Sequence, residues 1–146
     1  AVYAYYLIGQ SYYERISDVA RDQKITELAL ESFTEVIRRY PASDYAKDSQ
    51  LKIDLTRDHL AGKEMYIGRY YLNQSAFLAA INRFKKVVVE YQNTSHTPEA
   101  LHRIVEAYIS LGLIDEAKAT AAVLGHNFPN SDWYKDTYQL INTFLQ

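Results

Sequence analysis

Histidine, glutamate, serine and arginine are the residues with which this chain could do chemistry, so their spacing comes first. The four histidines are His59, His96, His102 and His126. No two of them have the i, i+4 spacing that sets a pair of imidazoles on one helical face around zinc. Glu99 and His102 form one E-x-x-H, half of the ligand set of a di-iron carboxylate bundle. Such a bundle needs a second copy and two further glutamates. No second copy exists, so the pair is expected on a helix surface. The chain has no cysteine, which removes thiolate metal sites and disulfide frameworks alike. No serine stands in a nucleophile elbow, and there is no glycine-rich phosphate loop or dinucleotide fingerprint. The expectation is a protein that is not an enzyme and uses no cofactor and no metal.

That leaves binding. A formal charge of −2 over 146 residues gives no basic face of the density that nucleic acid requires. No apolar run reaches the ~20 residues that span a bilayer, and no signal peptide is present. The chain opens without Met on "AVYAYYLIG", already in helical pattern, and is expected to be a piece of a longer protein. Its 14 tyrosines against 5 phenylalanines and 1 tryptophan fall mostly at helical spacing. That assigns them to inter-helix packing, with a tyrosine-lined groove for an apolar or aromatic peptide as the other reading.

The elements that must position these residues announce themselves by punctuation. "PASDYAKD" at Pro41 returns as "PNSDWYKD" at Pro129. In each copy the proline ends one helix, the serine (Ser43, Ser131) caps the next, and the aspartate complements its dipole. Helices are expected over 3–14, 25–40, 44–72, 76–91, 98–111, 114–127 and from 132 to the end, with a loop at 17–24. Leu30, Phe33, Val36 and Ile37 mark the inner face of the second. Ile53, Leu60, Ile67 and Tyr71 mark that of the third, where Gly62 and Gly68 each need a packing reason because glycine costs a helix about 1 kcal/mol. Thr97 is expected as N-cap, with Pro98 at the first helical position. Asn73 and Asn93 read as turn residues. The chain is all-α.

The helix pairs repeat. Gly9, Tyr12, Ala29, Phe33, Val36 and Pro41 form one series. Gly68, Tyr71, Ala80, Phe84, Val87 and Gln92 form a second, and Val105, Tyr108, Ala117, Ala121, Leu124 and Pro129 a third. The second and third have identical spacings; the first matches after an eight-residue insertion at "SDVARDQK". This is a tetratricopeptide signature, and it predicts an α-solenoid superhelix of three helix pairs and a capping helix. The repeats fall at about 2–43, 61–94 and 98–131, the cap at about 132–145, all in a single domain. Small residues let paired helices approach, and the aromatic and bulky residues fill the gap between layers. The groove positions of such a fold are Tyr6 and Gln10, Met65 and Arg69, His102 and Glu106. Of these only Arg69 suits a clamp for a peptide carboxylate.

On narrower grounds, "YYLIGQSYYERI", "EVIRRYPASDYAKDSQLKIDLTRDHLAGKEMYIGRYY", "AFLAAINRFKKVVVEYQNT" and "EALHRIVEAYISLGLIDEAKATAAVLGHNFPNSDWYKDTYQLI" resemble the BamD/ComL family. These are lipoproteins of the outer-membrane β-barrel assembly machinery of Gram-negative bacteria. The resemblance spans essentially the whole chain and implies the C-terminal three of five repeats, without the first two and the lipid-bearing cysteine. It implies a scaffold on the periplasmic face of the outer membrane, tethered only through that absent lipid. The implied partners are the periplasmic domains of the barrel-inserting subunit, the other lipoprotein subunits and unfolded outer-membrane proteins. It also assigns Asn82 and Arg83 to communication with the barrel-inserting subunit. Arg83 then has two readings, a bidentate pair with a partner carboxylate or an ordinary surface or intramolecular ion pair. Arg21 and Asp22 match the family's loop pattern, with a loop-fixing role. A general peptide-binding tetratricopeptide adaptor or co-chaperone module is the alternative. The N-terminal helix, cut off from the earlier repeats that normally cover it, is expected to expose apolar surface and favour self-association.

Overall fold

The computed structural model describes residues 1–14 and 23–144, so the expected loop at 17–24, with Arg21 and Asp22, lies largely outside the described residues. Seven α-helices follow in order: α1 (Val2–Glu14), α2 (Gln23–Arg39), α3 (Asp44–Asn73), α4 (Phe77–Glu90), α5 (Thr97–Ser110), α6 (Ile114–Asn127) and α7 (Asp132–Phe144). The described residues contain no strand. Contacts gather into two compact units, Ala1–Leu60 and Ala61–Gln146. The division falls inside α3.

The repeated punctuation works as chemistry. The Ser43 Oγ accepts from the Ala46 N–H at 3.1 Å, and the Ser131 Oγ accepts from the Trp133 N–H at 3.1 Å. Each satisfies an orphan donor of the helix it opens. Asp44 and Asp132 occupy the first turns of α3 and α7, where the dipole favours them. Thr97 is not a cap: it is already the first residue of α5, His96 holds the cap position without a side-chain bond, and Pro98 follows in the first turn. The Thr97 hydroxyl instead donates to the Tyr91 carbonyl.

In the unit Ala1–Leu60, α1 packs on α2 through Gly9, where an added Cβ would lie 2.8 Å from the Phe33 ring. Thr26, Ala29, Phe33 and Val36 are buried on α2, while Leu30 and Ile37 are only half-buried. Tyr6 and Tyr13 flank Phe33 with centroids 6.1 and 6.2 Å away, and Tyr6 and Tyr3 both meet Tyr45. Tyr12 is half-buried.

In the unit Ala61–Gln146 the same joint recurs. A Cβ on Gly68 would lie 2.6 Å from the Phe84 ring, which is the packing reason for a glycine in mid-helix. Phe84 belongs to a core with Ala61, Met65, Ala80, Val87, Ala100 and Ile104, against which Tyr71 and Tyr108 pack half-buried. Ala117 and Leu124 are buried on α6. A third instance joins α6 to α7, where a Cβ on Gly125 would lie 2.6 Å from the Tyr134 ring. Two turns of this unit share one design: backbone bonds from Ala76 to the Tyr71 carbonyl and from Leu113 to the Tyr108 carbonyl close the ends of α3 and α5. They place Ser75 (φ 59°) and Gly112 (φ 75°) in the left-handed region that suits such a helix end.

The inner line of α3 differs from the expected one. Ile53, Leu60, Ile67 and Tyr71 are only half-buried. The buried positions are Ala46, Ser49, Thr56, Ala61, Glu64, Met65 and Gly68. Close helix approach selects small side chains, so the face that disappears is not the most apolar one.

Candidate functional site

Asn82 and Arg83 lie on α4, on the turn before and beside the buried Phe84. Asn82 is exposed. The Arg83 side chain is 39% exposed, and its Nη1 donates to the Glu64 Oε2 on α3 at 3.0 Å. Glu64 is buried, and its other oxygen meets the Lys86 Nζ at 3.5 Å. Hydrogen bonding to Glu64, with a smaller share from Tyr71, holds the Arg83 guanidinium above its ordinary range. Arg83 is therefore internally paired and still presents part of its head to solvent. Lys86 did not stand out in the sequence, where it reads as an ordinary charged helix position, whereas Glu64 stands where the repeat consensus has its helix-A tryptophan.

Arg69 lies elsewhere on α3 and is engaged. Its Nη1 reaches both Glu99 oxygens, at 3.2 and 3.1 Å. Glu99 also accepts from the Arg103 Nε at 3.2 Å, and the Arg103 Nη1 donates to Glu106 at 2.8 Å. Met65, the neighbouring groove position, is fully buried. Arg69 is thus already paired with Glu99, and with Met65 buried a carboxylate clamp has no second side chain here.

This ionic row leads to His102. The expected surface position is wrong: His102 is 6% exposed, its Nδ1 lies 2.7 Å from the Thr137 Oγ1 on α7, and its Nε2 lies 3.4 Å from Glu106. Its ring packs on Trp133 at 5.4 Å, and the Arg103 guanidinium stacks over the same indole at 5.2 Å. Burial pushes the His102 pKa down, against the pull of Glu106. The histidine is thus a neutral hydrogen-bonding link that fastens α7 to α5. Among the described residues no three His, Cys, Asp or Glu side chains are grouped to hold a metal ion.

The tyrosines of α1 are tied down as well. The Tyr6 hydroxyl donates to Asp48, Lys52 pairs with Asp48 at 2.9 Å, and the Lys52 ammonium lies 5.8 and 5.5 Å from the centroids of Tyr6 and Tyr13. Tyr3 keeps half its surface exposed. Among the described residues no helix is long and apolar enough to cross a membrane.

Comparison with known proteins gives this arrangement a family. A family model described as "YfiO: Outer membrane lipoprotein" matches residues 1–124. The chain belongs to the YfiO family. Its helix pairs are those of a tetratricopeptide-like repeat fold. It is 56% identical over 142 residues to the outer membrane protein assembly factor BamD of Caulobacter vibrioides, covering 97% of this chain and 47% of that protein. It is equally similar, at 56% over 142 residues, to the BamD of Rickettsia prowazekii, of which it covers 57%. The BamD of Neisseria meningitidis serogroup A is 38% identical over 119 residues, or 82% of this chain and 45% of that protein. The chain thus spans about half the length of the curated YfiO-family relatives it matches.

Proposed function

We propose that this chain is a non-catalytic scaffold segment in the assembly of outer-membrane proteins, working at the periplasmic face of the outer membrane. The observation that carries the reading is the 56% identity to two proteins named outer membrane protein assembly factor, each over 97% of the chain. Its partners are the periplasmic domains of the barrel-inserting subunit, the companion lipoproteins and unfolded outer-membrane proteins. Docking of the barrel-inserting subunit uses the edge of α4, where Asn82 is exposed and the Arg83 head is half open to a partner carboxylate. Arg69 contributes as part of its ionic row with Glu99 rather than as a free clamp. That engagement weighs against the second reading, a general peptide-binding adaptor that grips a chain terminus.

The test is a titration of this chain against the soluble periplasmic domains of the barrel-inserting subunit from the same organism. Arg83→Leu and an unrelated folded tetratricopeptide domain run alongside. Saturable binding absent from the control, and weakened in Arg83→Leu, is the expected result. A folded chain that does not bind would leave the general adaptor as the better description.

A further inference from the structure

Glu64 has no part in the docking reading, yet its surroundings are unusual. It is a carboxylate only 7% exposed, and a buried carboxylate needs a cation beside it. One would serve. Glu64 has two, Arg83 at 3.0 Å on one oxygen and Lys86 at 3.5 Å on the other. Both cations reach solvent, at 39% and 34% side-chain exposure. Arg83 and Lys86 are three residues apart on α4 and so share a face. The bond to Glu64 uses only the Arg83 Nη1. The edge formed by Nε and Nη2 lies outside the bond to Glu64 and carries two parallel N–H donors in the spacing of a carboxylate, with the Tyr71 hydroxyl the other hydrogen-bond neighbour of this guanidinium.

We propose that Glu64 is a positioning residue for docking: it grips Arg83 by one amino group and, with Lys86, sets up a receptor for a single carboxylate side chain of the partner. The inference rests on the docking reading above. Arg83 then supplies the bidentate pair and Lys86 a second positive group beside it that draws the acid in. An arginine on a bare surface gives up its rotamer freedom on docking; one already anchored gives up less, so the anchor tightens binding without touching the partner. The competing account is that Glu64 merely staples α3 to α4. The two differ in one respect: a positioning residue matters only while Arg83 is present.

The experiment titrates the soluble periplasmic domains of the barrel-inserting subunit against the wild-type chain, Glu64→Gln, Arg83→Leu and the double variant, with thermal melts of each. Glutamine keeps the shape and an acceptor oxygen. The expected result is binding weakened roughly tenfold by Glu64→Gln, with no further loss when that change is added to Arg83→Leu, the non-additivity of residues acting as a unit. Lys86→Met is the second variant, should Glu64→Gln fail to fold. It should weaken binding several-fold and flatten its dependence on salt only when Arg83 is present. Wild-type affinity in Glu64→Gln and Lys86→Met beside a loss in Arg83→Leu would overturn the inference and leave the docking reading standing. Equal losses in both backgrounds would reduce Glu64 to a staple. No binding by the wild-type chain would overturn both.

Discussion

In Ala1–Leu60 the ring of Phe33 presses on Gly9 between two tyrosines; in Ala61–Gln146 the ring of Phe84 presses on Gly68 among Met65, Val87 and Ile104. The joint is the same and its surroundings are not. Around the first, the polar tips are phenols, with Tyr6 bonded to Asp48 and Lys52 beside two rings. Outside the second, they are ion pairs: Arg83 and Lys86 on Glu64, and Arg69 and Arg103 on Glu99. A glycine facing a ring fixes how closely two helices approach, and the residues around that joint remain free to vary. In the first unit the Lys52–Asp48 pair lies within α3, whereas in the unit that carries the docking candidates Arg83–Glu64 and Arg69–Glu99 join different helices.

The comparison breaks most sharply if the joint itself is removed. Phe84→Ala is expected to destabilise the chain by about 3–5 kcal/mol through the cavity it leaves. A urea-midpoint shift worth less than about 1 kcal/mol would mean that the repeat register is wrong. The glycines give the next effect. Gly68→Ala drives a methyl to 2.6 Å from a fully buried ring, an overpacking of about 1–3 kcal/mol. Gly62→Ala on the same helix meets the half-buried His96 ring at 3.3 Å, a looser contact whose cost is offset by up to about 1 kcal/mol of helix propensity. Gly68→Ala should therefore lower the melting temperature more than Gly62→Ala, and equal shifts would show that the ring contact does not set the spacing.

Acid gives the smallest effect and separates the two regions. Burial lowers the folded pKa of His102 beneath its ordinary 6.5, so the unfolded chain takes up the proton first. Stability falls as pH drops through about 6.5, and His102→Gln flattens that slope. Asp48 is held below its ordinary 3.8 by the Tyr6 hydroxyl and then by Lys52. Its contribution is present above that value and is lost only as pH falls below it, so Asp48→Asn leaves the slope near pH 6 untouched. Identical slopes near pH 6 for the wild-type chain and His102→Gln would remove the buried histidine from the account.

What could be read from sequence was local. Ser43 and Ser131 cap the helices that follow because a cap needs only its next three residues, and the ends of α3 and α6 follow from the same short-range chemistry. The off-by-one at Thr97 belongs there too, since His96 offers no capping side chain and so no signal. What escaped was non-local. The face of α3 that disappears is chosen by how near its neighbours come, which favours Ala46, Ser49 and Gly68 over Ile53 and Ile67. Glu64 gains its partners Arg83 and Lys86 only from α4, and His102 looks like surface until Trp133 and Thr137 of α7 cover it.

Met65, fully buried in the core beside Phe84, is the sole methionine of a chain without cysteine. Sulfur is where mild oxidants act first, and here the only sulfur atom is shielded by the packing of Ala61–Gln146. Peroxide reaches it in molecules whose core has opened, so the rate at which a single sulfoxide accumulates is a clock for that opening.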